Sequence, residues 1–237
     1  MYKTLSILIP AYNEESTIFR ILEKVEEVSL PLGIKKEYIV VDDASADGTK
    51  EEVERFRNTY PNADLKYVRH ELNKGKGFAI RTAISKATGD VMVVQDADLE
   101  YDPADFIPLL EYISEHDSKV IYGSRFLNKH NSHSYMSFYW GGRTVSAITN
   151  LLYGQHLTDE PTCYKMFDAE LLRNIPLECE RFEFCPEVTA KVAKLGYKIP
   201  EIPIKYYPRS IDEGKKISWK DGVEAILTLI KYRFCNK

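Results

Sequence analysis

The chain has 237 residues, of which 44% are hydrophobic and 29% charged, and a formal net charge of -4. This excludes a disordered or fibrous chain and argues against broad nucleic-acid binding, which leaves a basic footprint. Cys163, Cys179, Cys185 and Cys235 show neither a Cys-x-x-Cys pair nor a zinc-finger spacing, so reduced thiols in a cytoplasmic protein are expected. The N-terminal "MYKTLSILIPAYNEE" is too short and wrongly flanked for a signal peptide. No window approaches the roughly 20 apolar residues of a membrane span, so any membrane action is expected from the surface.

Taken in chain order, "TLSILIP" reads as a strand, 15–28 as a helix, "EYIVV" as a strand, and 49–59 as a helix capped by Asp47. "DLKYVR" follows as a strand, 77–87 as a helix closed by Gly89, "DVMVVQ" as a strand, 104–115 as a helix and "KVIYGS" as a strand. Such alternation predicts an α/β fold with a mostly parallel sheet flanked by helices. Beyond about residue 126 the regularity stops. The segment 127–143 reads as a mobile loop, 144–153 as a helix, and "LTDEPTCYKMFD" as a turn into a strand. A helix over 187–195, a strand "YKIPEIPIKYY", a basic loop "PRSIDEGKKISWKDG" and a helix over 223–234 complete the chain. One domain is expected, with a regular first half, residues 1–126, and a substrate-specific second half, 127–237.

The polar motifs fall at the carboxyl ends of the predicted strands, where open sheets of this kind bind ligands. "VMVVQDADLEYDP" is an apolar run that ends in Asp96, Asp98, Glu100 and Asp102. Alternation along an extended chain would turn these acids to one side, and like charges so placed need a positive partner. Carboxylates at this spacing are hard oxygen ligands suited to Mg2+ or Mn2+, which neutralise a diphosphate leaving group; a solvated acidic loop is the plainer alternative. Asp42 and Asp43 end the second strand, where an acid can accept from a base or ribose. In "NKGKGFAIRTAI", Gly75 and Gly77 with Lys74 and Lys76 open a helix whose amides could meet an anion or simply make a turn. The five histidines share no ligand spacing, and packing or solvation is expected of them.

Together "IPAYNEE", "VVDDASADGT", "NKGKGFAIRTAI", "QDADLEYDP" and "GSRF" resemble, in order and spacing, the family 2 glycosyltransferases of GT-A fold, and within them the dolichyl-phosphate mannose and glucose synthase group. The likeness continues through "LTDEPTCYKMF", "RFEFCPEVTAKVAKLGYKIPEIPIKY" and "EGKKISWKDG", nearly the whole chain. It implies an inverting enzyme that uses a nucleotide-diphosphate sugar and a divalent metal. Pro10, Tyr12, Glu14 and Asp42 or Asp43 would contact the nucleoside; Lys76 and Lys215 would assist donor binding. Asp96 would lie near the ribose or metal, with Asp98 and Glu100 as metal ligands, although many relatives carry Gln where Glu100 stands. Arg125 and Arg209 would grip phosphates, and Arg143, at a predicted helix start, could reach an acceptor phosphate.

The acceptor is expected to be a polyprenyl phosphate at the cytosolic membrane face. A hydroxyl on a glycan precursor is the alternative, and a nucleotide-sugar-binding protein without turnover a third reading. A hydroxyl nucleophile needs a general base, and Asp159 or Glu160 could supply one; a phosphate monoester is already ionised and needs cations such as Arg209, Lys215 and Lys216. From residue 205 onward the chain carries +4 and the remainder -8, so a basic, apolar-faced terminal helix could lie on anionic lipid.

Overall fold

The computed structural model describes residues 2–132, 136–209 and 219–235. Its centre is β1 (Thr4–Ala11), whose Leu5, Ile7, Leu8 and Ile9 are fully buried because helices cover both faces of the sheet. β2 (Lys35–Asp42) and β4 (Val91–Val94) flank β1 in parallel, with Leu8 opposite both Ile39 and Val94. β3 (Asp64–Arg69) extends the sheet beyond β2. On the other side come β6 (Lys165–Asp168), β5 (Val120–Ser124) and β7 (Glu201–Pro203), giving the order β3-β2-β1-β4-β6-β5-β7. β6 runs antiparallel to both neighbours. The second half of the chain therefore supplies strands to the same sheet.

The crossovers are α1 (Ile18–Glu27), α2 (Thr49–Thr59), α3 (Lys76–Lys86) and α4 (Phe106–Glu115). α1 shows how sequence becomes packing: Ile18, Ile21, Leu22 and Val25 recur at helical spacing and are all buried. α3 ends at Lys86, and Gly89 belongs to the turn into β4, where its amide donates to Ser6 Oγ at 2.9 Å. The expected closure of α3 by Gly89 is thus corrected. The alternation between β1 going out to β2 and β3 on one side, and to β4 on the other, leaves a crevice above the ends of β1 and β4.

In the second half, α5 (Met136–Tyr153) replaces much of the expected loop, and Arg143 lies inside it rather than at its start. α6 (Ala169–Asn174), α7 (Phe184–Lys194) and α8 (Trp219–Phe234) follow. α5, α7 and α8 share a small second core of Val145, Ala190, Leu229 and Tyr232. Lys194 Nζ donates to the Tyr232 carbonyl at 3.0 Å, which places a cation at the negative end of α8. No described helix is long and apolar enough to cross a membrane.

Candidate active site

β4 stops at Val94, and Asp96 to Asp102 lie in a bent segment over the crevice instead of continuing an extended strand. The four acids consequently do not gather round one point; each is held by its own set of donors. Lys76 Nζ sits 2.5 Å from Asp96 Oδ1, and Arg209 Nη2 donates to Asp98 Oδ2 at 2.6 Å. Glu100 Oε1 accepts the Arg209 backbone amide at 2.8 Å, while Glu100 Oε2 accepts Tyr206 Oη at 3.3 Å. Asp102 accepts Lys205 Nζ at 2.9 Å and also caps the turn at Ala104. Three of the four acids are therefore held by one segment, 205–209, which a bridge between Tyr101 and Tyr206 and a bond from Tyr207 N to the Glu100 carbonyl fix in place.

Burial, then the neighbouring Asp96 and Glu100 charges, push the Asp98 carboxyl up to about 7, with Arg209 pulling the other way. Burial alone would lower the Lys76 pKa, but the Asp96 carboxylate outweighs it and keeps the ammonium charged. Asp98 is thus a carboxylate whose burial and acidic neighbours disfavour its charge, and hard oxygen donors so placed fit a divalent cation. As they stand, no three His, Cys, Asp or Glu side chains among the described residues converge as metal ligands. The expected trio Asp96, Asp98 and Glu100 is divided between Lys76, Arg209 and Tyr206.

The other side of the crevice is the turn after β1. Pro10, one residue before the end of that strand, is half-buried, Tyr12 is exposed, and Glu14 Oε2 lies 3.9 Å from Arg209 Nη1. Asp42 and Asp43, expected at the nucleoside, are both spent inside the fold. Asp42 is fully buried and accepts from Ser45 N (2.8 Å), Tyr67 Oη (2.6 Å) and Arg69 Nη1 (3.3 Å). Asp43 binds His70 Nδ1 at 2.7 Å and the amides of Lys74 and Gly75. Their work is to shape the loops after β2 and β3, and Arg69, which also donates to the Ser45 carbonyl, is what Asp42 presents towards solvent. His70 bridges Asp43 and Thr82, a packing role.

The start of α3 is likewise filled. The amides of Gly77 and Phe78 donate to the carbonyls of Arg181 (3.1 Å) and Glu180 (2.9 Å). A Cβ on Gly75 would stand 2.5 Å from the Glu180 oxygen, and Gly75 has φ +96°. The glycines serve close backbone approach, not an anion cradle, and only Lys76 of this motif reaches the acids.

Arg125 and Asp159 were expected to act separately. The structure joins them: Arg125 Nε and its backbone N donate to Asp159 Oδ2 at 2.8 and 2.9 Å, and Nη2 to Oδ1 at 2.7 Å. Asp159 is fully buried, and the segment is clamped by Glu201, which accepts from the amides of Thr158 and Asp159. Glu160 is also fully buried, against Thr189 and Lys165. Neither acid presents a carboxylate to the crevice. Arg143 Nη1 donates to the Thr158 carbonyl at 3.1 Å. Lys215 and Lys216 lie outside the described residues. Sequence reasoning missed Lys205 and Tyr206 as partners of the acidic motif; opposite charge in "DLEYD" and "KYYPR" was the sole signal, about a hundred positions apart.

A mostly parallel α/β sheet with acids and cations gathered above its switch point has the form of an α/β enzyme that binds its ligand beyond the strand ends. Residues 6–175 match the family described as glycosyl transferase family 2, and the chain belongs to that family of enzymes. Among proteins of known activity, it is 30% identical over 233 residues to the UDP-N-acetylglucosamine--dolichyl-phosphate N-acetylglucosaminyltransferase of Methanococcus voltae, covering 91% of each chain. It is 30% identical to the undecaprenyl-phosphate mannosyltransferase of Micrococcus luteus, covering 95% of this chain and 92% of that one. The fold matches the crystal structure of glucosyl-3-phosphoglycerate synthase from Mycobacterium tuberculosis, in complex with Mn2+, UDP and phosphoglyceric acid. That match has a TM-score of 0.70 at 18% identity and covers 99% of this chain and 80% of the other. The fold is GT-A.

Proposed function

We propose that this glycosyltransferase moves a sugar, with inversion, from a nucleotide-diphosphate donor to a polyprenyl phosphate at the cytosolic face of a membrane, acting as one unit in which residues 1–126 bind the donor and 127–237 the acceptor. The observation that carries the reading is the balance of the crevice: every carboxylate named above that faces it is matched by a cation or a hydrogen-bond donor, and the acids once considered as general bases are buried in ion pairs. A hydroxyl acceptor must surrender a proton during attack. A phosphate monoester is already ionised and requires only cations to hold and orient it. The names of the relatives, which act on dolichyl and undecaprenyl phosphate, support the same choice.

Asp96 and Asp98 would hold Mg2+ or Mn2+, with Glu100 close by, and the ion would supply charge neutralisation for the departing nucleoside diphosphate. Lys76 stands beside Asp96 and supplies a further positive charge to that side. Arg125 is held rigidly by Asp159, with its ring-facing side over Tyr206 at 5.1 Å, so it can present a fixed guanidinium at the end of β5. Tyr12 and Pro10 offer a surface for the nucleoside above β1.

The membrane contact is assigned to α5 and α8. Trp219, Val223, Leu227, Ile230 and Phe234 are exposed at one helical spacing on α8, and Met136, Trp140 and Leu151 are exposed on α5. Lys220, Lys231 and Arg233 add the positive charge that anionic lipid attracts. Incubation with a panel of UDP- and GDP-sugars, Mn2+ and undecaprenyl phosphate in vesicles tests the proposal. One donor should yield a glycosylated lipid phosphate, and EDTA should abolish it; transfer that survives EDTA, or that occurs only onto soluble saccharides, would refute it.

A further inference from the structure

The two arginines of the crevice are bound in unlike ways. Arg125 is locked: Nε and Nη2 both engage Asp159 in a planar fork, and its backbone amide engages the same carboxylate. Arg209 is tied to the acids through one short bond from Nη2 to Asp98, with Glu14 at 3.9 Å from Nη1. Its Nε is buried and has no hydrogen-bond partner among the described residues. A buried donor left unmade costs free energy that a better partner would recover. The backbone of Arg209 is meanwhile fixed by Glu100, so the guanidinium can change partner without the chain moving away.

From this we infer that the Arg209 guanidinium occupies the place of the divalent cation at Asp98, so that ion and arginine exclude one another there. An entering ion takes the Asp98 carboxylate and frees the guanidinium, which then has an unfilled set of donors at the mouth of the crevice for the diphosphate oxygens. Positive charge is always present at Asp98, and an unattached arginine becomes available only once the metal is in. The inference rests on the metal use proposed above.

The test is Mn2+ affinity without nucleotide, read from the electron paramagnetic resonance signal of the free aqueous ion, for the wild type, Arg209→Gln and Lys205→Gln. Lys205 is the control because it carries the same charge in the same segment but pairs with Asp102 at 2.9 Å. Removal of a competing charge in direct contact should tighten Mn2+ binding about tenfold in Arg209→Gln, whereas loss of the half-exposed Lys205 should change it less than about twofold. Arg209→Lys, which keeps the charge but loses the planar fork, should fall between the wild type and Arg209→Gln, and serves alone if Arg209→Gln does not fold. Equal or weaker binding by Arg209→Gln, or an equal gain in Lys205→Gln, overturns the competition. If none of the proteins binds Mn2+ even with UDP or GDP added, the proposed metal use falls and takes this inference with it; binding by all of them with nucleotide, but no gain from Arg209→Gln, removes only the inference.

Discussion

At the scale of single residues, the Arg125–Asp159 pair decides how mutations in the acceptor half should be read. Both groups are largely buried, and removal of either leaves the other charge without its partner, a loss of roughly 3–5 kcal/mol. Asp159→Asn is therefore expected to lower the unfolding midpoint and to slow transfer by loosening Arg125. A double-mutant cycle with Arg125→Ala should give a coupling of at least about 2 kcal/mol in stability; additive effects would show that the two do not act as a pair. Asp98→Asn should behave in the opposite way. It removes a charge that burial and Asp96 disfavour, so the metal-free protein should unfold at the same temperature or higher while transfer is lost. A clear drop in the midpoint would contradict the strained placement of Asp98. None of this pairing was legible in the sequence: the residue types and strand-end positions were, but partners 34 and 111 positions apart follow no local periodicity.

At the scale of elements, Glu37 on β2 ties the parallel strands together. It is fully buried and accepts from Ser6 on β1, Lys66 on β3 (2.5 Å), and Thr88 and Gly89 in the turn before β4. Burial alone would raise its pKa, but the bonds from Lys66, Ser6 and Thr88 outweigh it and draw the carboxyl down to about 2. A folded pKa below the unfolded one gives stability that is present above about pH 4.5 and is lost as pH falls towards about 2. Glu37→Gln should cost roughly 3 kcal/mol at pH 7 and flatten that acid limb in pH-dependent denaturation; an unchanged limb would show that the network does not hold the sheet. The strands and helices of the first half were readable because each buried strand is a short β-branched run and each helix has one apolar face. β6 was expected as a strand, but its antiparallel insertion could not be read from four buried residues. The first turns of α5 were missed because Gly141 and Gly142 and the aromatic run weaken intrinsic helix preference; packing of Tyr139 and Gly142 against Phe126 overrides it.

At the scale of the whole molecule, the sheet sets the acidic crevice above the ends of β1 and β4, while α5 and α8 each expose a row of apolar side chains, with Lys220, Lys231 and Arg233 beside those of α8. Leu227→Glu combined with Phe234→Glu should reduce sedimentation with anionic liposomes at low salt and leave the folded core intact, since both side chains are exposed; undiminished sedimentation would move the membrane contact elsewhere. The charge division was visible in the sequence, with +4 from residue 205 onward and -8 before it, but the packing of α5 against α8 was not. The central claim is that the acceptor group is a phosphate, held by cations in a crevice where the two candidate general bases, Asp159 and Glu160, are buried in ion pairs. Initial rates with a polyprenyl phosphate and with the matching polyprenol, in the same vesicles with the same donor and Mn2+, test it most directly. Transfer to the phosphate with none detectable to the alcohol is the predicted result, and transfer to the alcohol at a comparable rate would contradict it.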